Sequence, residues 1–375
     1  MQNKPIEDDL SCVLHLSLAL MYSGHQKSVI DHFKTVKEFF LVGEDEWKNS
    51  GLFTKKQIER IKNIESDKIK KIIEQCKKDK IEIISYDSEF YPKELLETEN
   101  FPLILYTKGK KKTLLNENKF AIVGSRHPTS HYGKATREFA KALSVNGMTI
   151  VSGGAMGVDS IAHQSALEVG ANTICILGSG LSYPFRTTFR KLADKIQNSG
   201  ILISEFPPKM PAYKYNFPIR NRIISGISKA TLITQAGLKS GSLITAKYAL
   251  EQGKDVYVTP APIFREEFYG SNKLIKDGAI PVMEPFDILC EYGLSQREFS
   301  EKVQSLQMAE TKKAPSSDFD KETLAVYDKI GKDEISFEDL IEKVNLTAGQ
   351  LMTILTELEI TEYIKTTQTG KYIYS

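Results

Sequence analysis

The sequence has 375 residues, of which 41% are hydrophobic and 26% are charged, a composition typical of a globular rather than a disordered or fibrous protein. Fifty Lys and Arg residues against 48 acidic residues leave a formal net charge of +2, so any affinity for nucleic acid must come from a local basic patch. The length exceeds what one hydrophobic core normally fills, and we therefore expect two or three domains.

The cysteines and the apolar runs bear on the cellular compartment. Cys12, Cys76, Cys175 and Cys290 form no C-x-x-C pair, which argues against a disulfide framework or a zinc ribbon and fits a reducing compartment. No apolar run approaches the roughly 20 residues that a membrane-spanning helix needs. The first residues also lack the basic-then-apolar layout of a signal peptide. We therefore expect a cytoplasmic protein that does not associate with a membrane.

Residues 1–80 are predicted to form a helical N-terminal domain. Thr54 and Gln57 have the spacing of a capping box ahead of a helix. The stretch 68–80 (KIKKIIEQCKKDK) is rich in lysine and is therefore a candidate contact for nucleic acid. Its charges alternate with isoleucine, however, and this pattern is more typical of the solvated face of an amphipathic helix, which is the interpretation we favour.

Residues 81–295 are predicted to form a Rossmann-like α/β domain, because short β-rich runs alternate there with helical ones. The predicted strands are IEIISY, LILYT, FAIVG, MTIVSG, TICILG, GILISE, TLITQA and DVYVTP. Such βαβ units build a mostly parallel sheet, whose ligands bind beyond the carboxyl ends of the strands. We therefore expect the glycine turns to gather at one edge and to bring Arg126 close to Lys239.

The last quarter of the sequence is predicted to hold a linker and a small third domain. Residues 296–318 are polar and contain Pro-Ser-Ser, as linkers often do. Residues 319–375 begin with a helical pattern, and Ser336 and Thr347 are each placed to start a further helix. A β-like segment with a turn near Gly370 follows. Three helices and a hairpin together predict a winged-helix domain.

The turn after the strand TLITQA is a candidate anion site. A glycine turn between a strand and a helix leaves unpaired backbone N–H groups at an electropositive helix N-terminus. Lys239 adds a full positive charge at this point. The residues of the turn that we expect to contact the anion are Lys239, Ser240, Gly241 and Ser242. The ligand should therefore carry phosphate or carboxylate.

A similar turn, Gly124-Ser125-Arg126, follows the strand FAIVG. A guanidinium group binds phosphate in a two-pronged manner, and Ser125 and Arg126 are therefore candidate ligand contacts. From this turn alone, an ion pair between Arg126 and a local carboxylate is equally compatible with the sequence.

Asp159 and His163 follow a cluster of glycines and lie one helical turn apart. That spacing suits a metal site or an acid/base pair, but no third ligand is apparent in the sequence. We favour a structural role for the pair, and the sequence predicts no metal site.

The segment FPIRNR places Arg220, Asn221 and Arg222 close to Phe217. Cations beside an aromatic ring suit single-stranded nucleic acid, because phosphates meet the cations and bases stack on the ring. The two arginines are equally compatible with a carboxylate partner such as Glu205, with Phe217 in the core. The residues themselves leave both interpretations open.

Familiar enzyme signatures are missing from the sequence. A P-loop would need glycine at the positions held by Ile233 and Leu238, and neither G-x-S-x-G nor H-E-x-x-H occurs. We therefore predict no catalytic residue and no cofactor.

A series of motifs runs from about Tyr91 to Ala279: YPKELL, PLILYTKG, AIVGSR, VSGGAMGVDSIAH, ILGSGLSYPF, LISEFPP, FPIRNRIISGIS, KSGSLITAKYALEQGKDVYVTP and GSNKLIKDGA. In these motifs and in their order the chain closely resembles the DNA-processing protein A family, also called Smf. The helical N-terminal domain (SAM/HhH-like) and the winged helix resemble those of the longer members of that family.

The resemblance implies a recombination mediator rather than an enzyme. Such a protein binds and protects incoming single-stranded DNA and helps to load RecA recombinase onto it in natural transformation, typically as a homodimer. The family's DNA-binding arginine matches Arg126 and its lysine matches Lys239. The chain departs from the family at Gln235, where glutamate is frequent, and at Ala261, where glycine is usual.

Two further hypotheses concern catalysis and the C-terminus. A Rossmann-fold nucleotide phosphoribohydrolase or nucleotide sensor has a similar architecture, but its P-G-G-x-G-T turn and catalytic glutamate are replaced here by QAGLKSGSLITA. The predicted recognition helix of the winged helix, residues 347–358, carries no Lys or Arg. We therefore expect this domain to contact proteins or a second copy rather than duplex DNA.

Overall fold

The computed structural model divides the chain into two compact units, Met1–Leu294 and Ser295–Ser375. The predicted linker lies, from residue 300 onward, outside the described residues. The residues that the structure describes are 9–299, 319–330, 335–360, 363–367 and 370–374.

The first unit begins with five helices. The predicted capping box is present at the start of the fourth helix, where the Thr54 amide donates to Gln57 Oε1 at 2.8 Å and the Gln57 amide donates to Thr54 Oγ1 at 3.3 Å. Trp47 stacks on Phe39 in the core of this segment, with ring centroids 4.7 Å apart. The helices are α1 (Asp9–Leu20), α2 (Gln26–Phe33), α3 (Val36–Asn49), α4 (Lys55–Lys62) and α5 (Ser66–Lys78).

A nine-stranded sheet forms the centre of the same unit. Its strands are β1 (Glu82–Ser85), β2 (Ile104–Gly109), β3 (Lys119–Val123), β4 (Thr149–Gly153), β5 (Thr173–Ile176), β6 (Ile201–Ser204), β7 (Ala230–Ile233), β8 (Asp255–Val258) and β9 (Ile280–Pro281). The spatial order is β1-β2-β6-β5-β4-β3-β7-β8-β9. The strands from β6 to β9 in this order run parallel, whereas β1 and β2 are antiparallel to their neighbours.

All eight predicted strands are present, and the prediction of a mostly parallel Rossmann-like sheet is confirmed. The structure adds β9, a strand of two residues that includes a proline and is too short to show an alternating pattern. Strands β3 to β7 are buried along their whole length. Parallel strands that are buried in this way need cover on both faces, which explains their continuous apolar runs.

Eight more helices connect and cover the strands. They are α6 (Lys93–Leu96), α7 (Ser130–Val145), α8 (Val158–Glu168), α9 (Thr187–Ser199), α10 (Asn216–Gly226), α11 (Ser242–Glu251), α12 (Tyr269–Lys276) and α13 (Pro285–Leu289). The proposed boundary between residues 80 and 81 falls inside the first unit, where the Ser182 hydroxyl donates to the carboxylate of Asp79. The limits at residues 80, 295 and 318 stay predictions.

The order of the strands creates a crevice at one edge of the sheet. The chain builds outward from β3 through β4, β5 and β6, and then returns to add β7 and β8 on the other side of β3. The order therefore reverses between β3 and β7. In open α/β sheets this reversal opens a crevice at the carboxyl ends of the two strands, which is where ligands bind.

From residue 319 onward, the second unit contains three described helices and a hairpin, as the sequence predicts for a winged helix. The predicted caps are present, since Ser336 Oγ accepts the Asp339 amide at 3.0 Å and Gln350 Oε1 accepts the Thr347 amide at 3.0 Å. Leu351 and Leu358 are fully buried in its core. The elements are α14 (Lys321–Lys329), α15 (Phe337–Lys343), α16 (Ala348–Ile360), β10 (Ile364–Thr366) and β11 (Tyr372–Tyr374).

None of the described helices combines the length and the apolar character that crossing a bilayer requires.

Candidate nucleic-acid interface

The Gly124-Ser125-Arg126 turn leaves β3 at the crevice and is held in place by two hydrogen bonds. The Ser125 carbonyl accepts the amide of Val158 at 3.1 Å, and Ser125 Oγ accepts the amide of His127 at 3.1 Å. The first bond ties the turn to the first residue of α8. The backbone is therefore fixed while the side chain of Arg126 is exposed.

Gly157 allows α8 to approach this turn closely. Its φ is +79°, a value that side chains rarely tolerate, and a Cβ built on it would lie 2.6 Å from the carbonyl carbon of Arg126. A larger residue at position 157 would therefore push the two segments apart. This contact gives a physical reason for the glycine in the motif GGAMG.

The Lys239-Ser240-Gly241-Ser242 turn follows β7 on the other side of the crevice. The Ser240 amide donates to the carbonyl of Gly237 at 3.0 Å, and the hydroxyls of Ser240 and Ser242 are hydrogen-bonded at 2.7 Å. These contacts order the backbone just before α11 begins at Ser242. Lys239 and Gly241 are exposed, whereas Ser242 is buried.

Gln235 connects the two turns. It follows β7, is 1% exposed, and its Oε1 accepts the amide of Thr129 at 2.9 Å in the loop that follows β3. A glutamate could accept the same hydrogen bond but would bury a negative charge. The glutamine therefore connects the two loops without burying a charge.

Arg126 and Lys239 are brought to neighbouring strand ends, as the sequence predicts. The last residues of the two strands, Val123 and Ile233, pair directly in the sheet. Among the described residues, neither Arg126 nor Lys239 has a hydrogen bond or an ion pair through its side chain. No ion pair holds Arg126 to a local carboxylate, but its charge acts on the buried Asp159, whose raised pKa it partly offsets. Two unpaired cations on rigid turns flank the crevice.

Arg220 lies below the crevice and not on its surface. It is 5% exposed, its guanidinium donates to the carbonyl of Ile176 and to Asn221 Oδ1, and it lies 3.9 Å from a carboxylate oxygen of Asp159. A Cβ on Gly153 would meet the guanidinium carbon at 2.5 Å, so this glycine makes room for the arginine. The donors of Arg220 are thus directed at the protein interior.

Asp159 and His163 also have internal partners. The His163 ring contacts the Gly153 carbonyl at 3.0 Å and Thr173 Oγ1 at 2.7 Å, and burial lowers its pKa to about 4. Burial raises the pKa of Asp159, an effect that the nearby Arg220 partly offsets. The described residues contain no group of acidic, histidine and cysteine side chains that could hold a metal ion. The contacts match the structural role that we favoured.

Arg222 pairs with Glu205, which is one of the two interpretations that the sequence leaves open. The nitrogen-to-oxygen distance is 2.5 Å, and both side chains are buried. Burial raises the pKa of Glu205 and the Arg222 guanidinium opposes this shift. Phe217 packs against Gly178, where a Cβ would lie 2.9 Å from its ring. Neither Arg222 nor Arg220 presents its charge to solvent, so the structure does not favour the predicted direct contacts with DNA.

Asn221 has a role that sequence reasoning missed. Its side-chain amide donates to the carbonyl of Gly241 at 3.2 Å, which links α10 to the turn that carries Lys239. The side chain is 8% exposed and therefore supports the turn from below. The sequence gives no sign of this contact, because 20 residues separate its partners.

Arg186 is a further exposed cation that the sequence analysis did not single out. It lies in the loop after β5, directly before α9, and has no ion pair among residues 9–299. Because β5 is parallel to β3 and β7, this loop leaves the same edge of the sheet. The signal in the sequence is its position between a buried strand and a helix start, as for Arg126 and Lys239.

Comparisons with known proteins identify two matching regions. Residues 82–293 match the family model for DNA recombination-mediator protein A, and residues 310–368 match the model for the DprA winged helix domain. The first match covers more than half of the chain, including the sheet and the crevice, and the second covers the three helices of the winged helix and β10 but ends before β11.

Individual relatives agree with the family models. Protein Smf of Escherichia coli is 44% identical over 216 residues, which are 56% of this chain and 57% of that protein. The DNA processing protein DprA of Bacillus subtilis is 35% identical over 224 residues, which are 60% of this chain and 75% of that protein. The chain spans little more than half the length of the Smf relatives that it matches.

Two solved structures are similar to this one. The structure of DNA processing protein A from Streptococcus pneumoniae has a TM-score of 0.66 and 30% identity, and it covers 78% of this chain and 99% of its own. The protein from Helicobacter pylori, whose structure concerns a single-stranded DNA binding mode, has a TM-score of 0.52 and 31% identity over 56% of this chain and 95% of its own. Together with the strand order and the two glycine turns, these matches show that the chain belongs to the DNA recombination-mediator protein A family, also called DprA or Smf.

Proposed function

We propose that this protein binds single-stranded DNA at the crevice between β3 and β7. Arg126 and Lys239 contact backbone phosphates, while Ser125, Ser240 and Gly241 lie beside them in the same turns. Ser242 acts from a buried position by ordering the Ser240 hydroxyl. Asn221 supports the turn of Lys239 from below, Arg220 donates to Asn221, and Arg222 pairs with Glu205, so none of the three contacts the DNA.

One observation carries this proposal. Two exposed cations with no internal partner stand on adjacent, hydrogen-bonded turns at the switch point of a parallel sheet. Neither turn contains a carboxylate that would repel an anion. Phosphate contacts of this kind position a strand without reading its sequence. The solved structure of the H. pylori relative concerns the binding of single-stranded DNA, a ligand with such a phosphate backbone.

We further propose that the protein is a recombination mediator and not an enzyme. It would protect single-stranded DNA and help to load RecA recombinase in natural transformation, acting as a homodimer. Support comes from the family to which the chain belongs. Addition of the protein to DNA that is covered by single-strand binding protein should speed the formation of RecA filaments.

The binding site can be tested with Arg126→Ala and Lys239→Ala in fluorescence anisotropy titrations of single-stranded DNA. Each variant should weaken binding to all sequences alike, and the slope of log affinity against log salt should fall by about 0.7 for each lost phosphate contact. Lys247→Ala is the matched control, because Lys247 is exposed on α11 and pairs with Glu251. Unchanged affinity in both crevice variants would refute the site.

The enzymatic alternative makes a different prediction. A phosphoribohydrolase would release free base from nucleoside monophosphates, and we expect none from this protein. Chromatography of the incubated mixture measures the base directly. Release that Lys239→Ala abolishes would replace the proposed function with a catalytic one.

A further inference from the structure

A groove lies between the N-terminal helices and the loop that follows β6. Its volume is 660 Å³, and its walls come from α1, α5 and the segment 207–213. The segment is held rigidly, because the Gly180 amide donates to the Met210 carbonyl at 2.8 Å and the Ser182 amide donates to the Pro208 carbonyl at 2.7 Å. We call this feature the α5 groove. Its volume lies in the range of pockets that bind small organic groups.

The rim of the α5 groove is strongly basic. Glu74 is the one carboxylate among the residues that line it, and within the described part of the chain none of the lining cations forms an ion pair. All five cations are also exposed. They are Arg60, Lys68, Lys71, Lys78 and Lys209. Arg60 donates to the Leu18 carbonyl at 3.4 Å and lies over the Tyr22 ring. In a protein with a net charge of +2, this concentration of exposed cations favours an anionic ligand.

The lysines of the groove share one face of α5. Lys68, Lys71 and Lys78 are separated by three and seven residues, which places them in one row along the helix. Ile69 and Ile72 on the adjacent face are buried in the core. The basic stretch that the sequence analysis assigned to a solvated face therefore forms the wall of a groove.

Aromatic rings complete the groove. Tyr22 and Tyr213 line it and are 42% and 44% exposed. Tyr213 stacks on Tyr215 with ring centroids 5.3 Å apart and an angle of 8° between the planes, and Tyr22 meets Tyr215 edge-on at 5.9 Å. Exposed rings that are held by their neighbours offer flat faces at little entropic cost. Aromatic faces beside cations are the arrangement that binds unpaired bases and their phosphates.

The groove lies on the same edge of the sheet as the crevice. The segment 207–213 follows the carboxyl end of β6, and β6 is separated from β3 by β5 and β4. Three strand spacings amount to about 14 Å. The exposed Arg186, in the loop after β5, lies between these two positions in the strand order. Arg186 therefore supplies one cation between the crevice and the groove for a strand that reaches both.

We infer that the α5 groove is a second contact for single-stranded DNA, in which unpaired bases stack on Tyr213 and Tyr22 while the lysines of α5 contact phosphates. The inference rests on the proposed function, because it extends the path of the same strand. It assigns a DNA-binding role to the N-terminal helices. A duplex does not fit this role, because its bases are paired and stacked within the helix.

The first test compares two double variants of the same helix. Lys68→Ala with Lys71→Ala removes two cations from the groove, whereas Lys70→Ala with Lys77→Ala removes two exposed lysines that do not line it. Anisotropy titrations use oligonucleotides of about 6 and about 16 nucleotides, which lie in the range of site sizes for single-strand binding folds. The groove pair should weaken binding of the longer oligonucleotide and lower its salt slope by about 1.4, and the control pair should do neither.

The pattern across lengths separates this inference from the proposed function. Arg126→Ala should lower the affinity for both oligonucleotides, and the groove pair should lower the affinity for only the longer one. If Arg126→Ala behaves as expected while the groove and control pairs bind the longer oligonucleotide equally well, the groove is not a DNA contact and the crevice remains one. If the wild-type protein binds neither length, both proposals fall.

A second test examines the stacking of bases. Tyr213→Ala should lower the affinity for the longer oligonucleotide about tenfold, a loss within the range for base–aromatic stacking. Tyr213→Phe keeps an aromatic ring and should therefore keep the wild-type affinity. Ultraviolet cross-linking of DNA that contains 5-iodouracil should join Tyr213 or Tyr22 to the DNA. Cross-links that map only to the turns of the crevice, together with full affinity in Tyr213→Ala, would show that the groove takes another occupant, such as a peptide.

Discussion

At the scale of single residues, the burial of each arginine side chain decides whether it can contact a ligand. Arg126 and Arg222 both belong to motifs that resemble the family, yet Arg126 is exposed without a partner and Arg222 is buried against Glu205. An exposed cation is free to meet a phosphate, whereas a buried one is needed to neutralise the carboxylate beside it. The same residue type therefore serves binding in one turn and stability in the other.

Arg222→Ala should destabilise the protein and leave its intrinsic affinity for DNA unchanged. Removing one partner of a buried ion pair typically costs about 3–5 kcal/mol, because the remaining charge has no partner. Urea denaturation should show this loss in the free energy of unfolding, and Arg126→Ala should show almost none. An Arg222→Ala protein that keeps wild-type stability but loses DNA affinity would place Arg222 in the DNA path after all.

His163 should make the stability of the protein depend on pH. Its pKa falls from 6.5 in the unfolded chain to about 4 in the folded one, so only the unfolded state takes up a proton between these values. Stability therefore decreases as the pH falls from about 6.5 toward 4, by roughly 2 kcal/mol at pH 5 relative to pH 7.5 from this group alone.

His163→Asn removes the titrating group and should flatten this dependence. The free energy of unfolding is measured at pH 7.5 and pH 5 for both proteins, and the comparison cancels the contribution of groups that they share, such as His15. The variant is expected to be less stable at pH 7.5, because the asparagine cannot reach both partners of the ring. If both proteins lose the same free energy of unfolding between pH 7.5 and pH 5, His163 is not the group responsible for the pH dependence.

At the scale of elements, the candidate site depends on contacts between turns rather than on any one of them. The start of α8 holds the turn after β3, Gln235 connects the loops after β3 and β7, and Asn221 of α10 supports the turn before α11. These contacts fix the backbone beneath Arg126 and Lys239, so the two side chains are positioned without an internal partner of their own. Their preorganisation lowers the entropic cost of binding a flexible strand.

Gly157→Ala should weaken DNA binding without changing any charge. The positive φ and the close approach to the Arg126 backbone make the added methyl group strained, so α8 and the turn after β3 must separate. We expect lower affinity for single-stranded DNA in anisotropy titrations, with an unchanged salt slope if both phosphate contacts survive. Gly170→Ala is the matched control, because Gly170 follows the other end of α8 with a similar φ of +72° and a Cβ there meets nothing within 4 Å.

At the scale of the whole molecule, binding and assembly are predicted to belong to different units. The crevice and the α5 groove both lie in the first unit. In the winged helix, α16 carries no Lys or Arg, and Leu351, Leu355 and Leu358 are buried in its own core. A helix with this composition is poorly suited to reading a DNA groove. We therefore propose a role in protein contacts or self-association for the second unit.

Deletion of residues 319–375 should leave the affinity for single-stranded DNA close to that of the full chain. The physical reason is that none of the cations assigned to DNA is removed. Anisotropy titrations measure the affinity, and sedimentation at several concentrations measures self-association. A large loss of single-strand affinity in the truncated protein would refute the proposed division of roles.

The sequence predicted the architecture better than it predicted the fate of its polar residues. The six strands from β3 to β8 could be located because buried parallel strands form continuous apolar runs, whereas β9 escaped notice because two residues carry no pattern. The proximity of the turns of Arg126 and Lys239 could be predicted because the carboxyl ends of parallel strands lie at the same edge of a sheet. The sequence could not distinguish exposed Arg126 from buried Arg220, because burial depends on the packing of α10 against the sheet.

The α5 groove is a second feature that the sequence could not predict. The lysine-rich stretch 68–80 was assigned to a solvated face, since spacing along a helix cannot reveal which element lies opposite it. The structure places the segment 207–213 there, more than 120 residues away in the sequence. Sites built from distant segments are visible only when the fold is known.

The proline of β9 has a consequence for how two copies of the protein can meet. β9 is the last strand of the sheet, and the Val282 amide beside it bonds inward to Val258. Alternate residues of a strand point their N–H groups to opposite sides, so the outward position belongs to Pro281, which has none. A second copy therefore cannot continue the sheet across a two-fold axis with a full ladder at this edge. In the proposed homodimer, the backbone at Pro281 can accept but not donate hydrogen bonds, so a contact at this edge depends mainly on side chains.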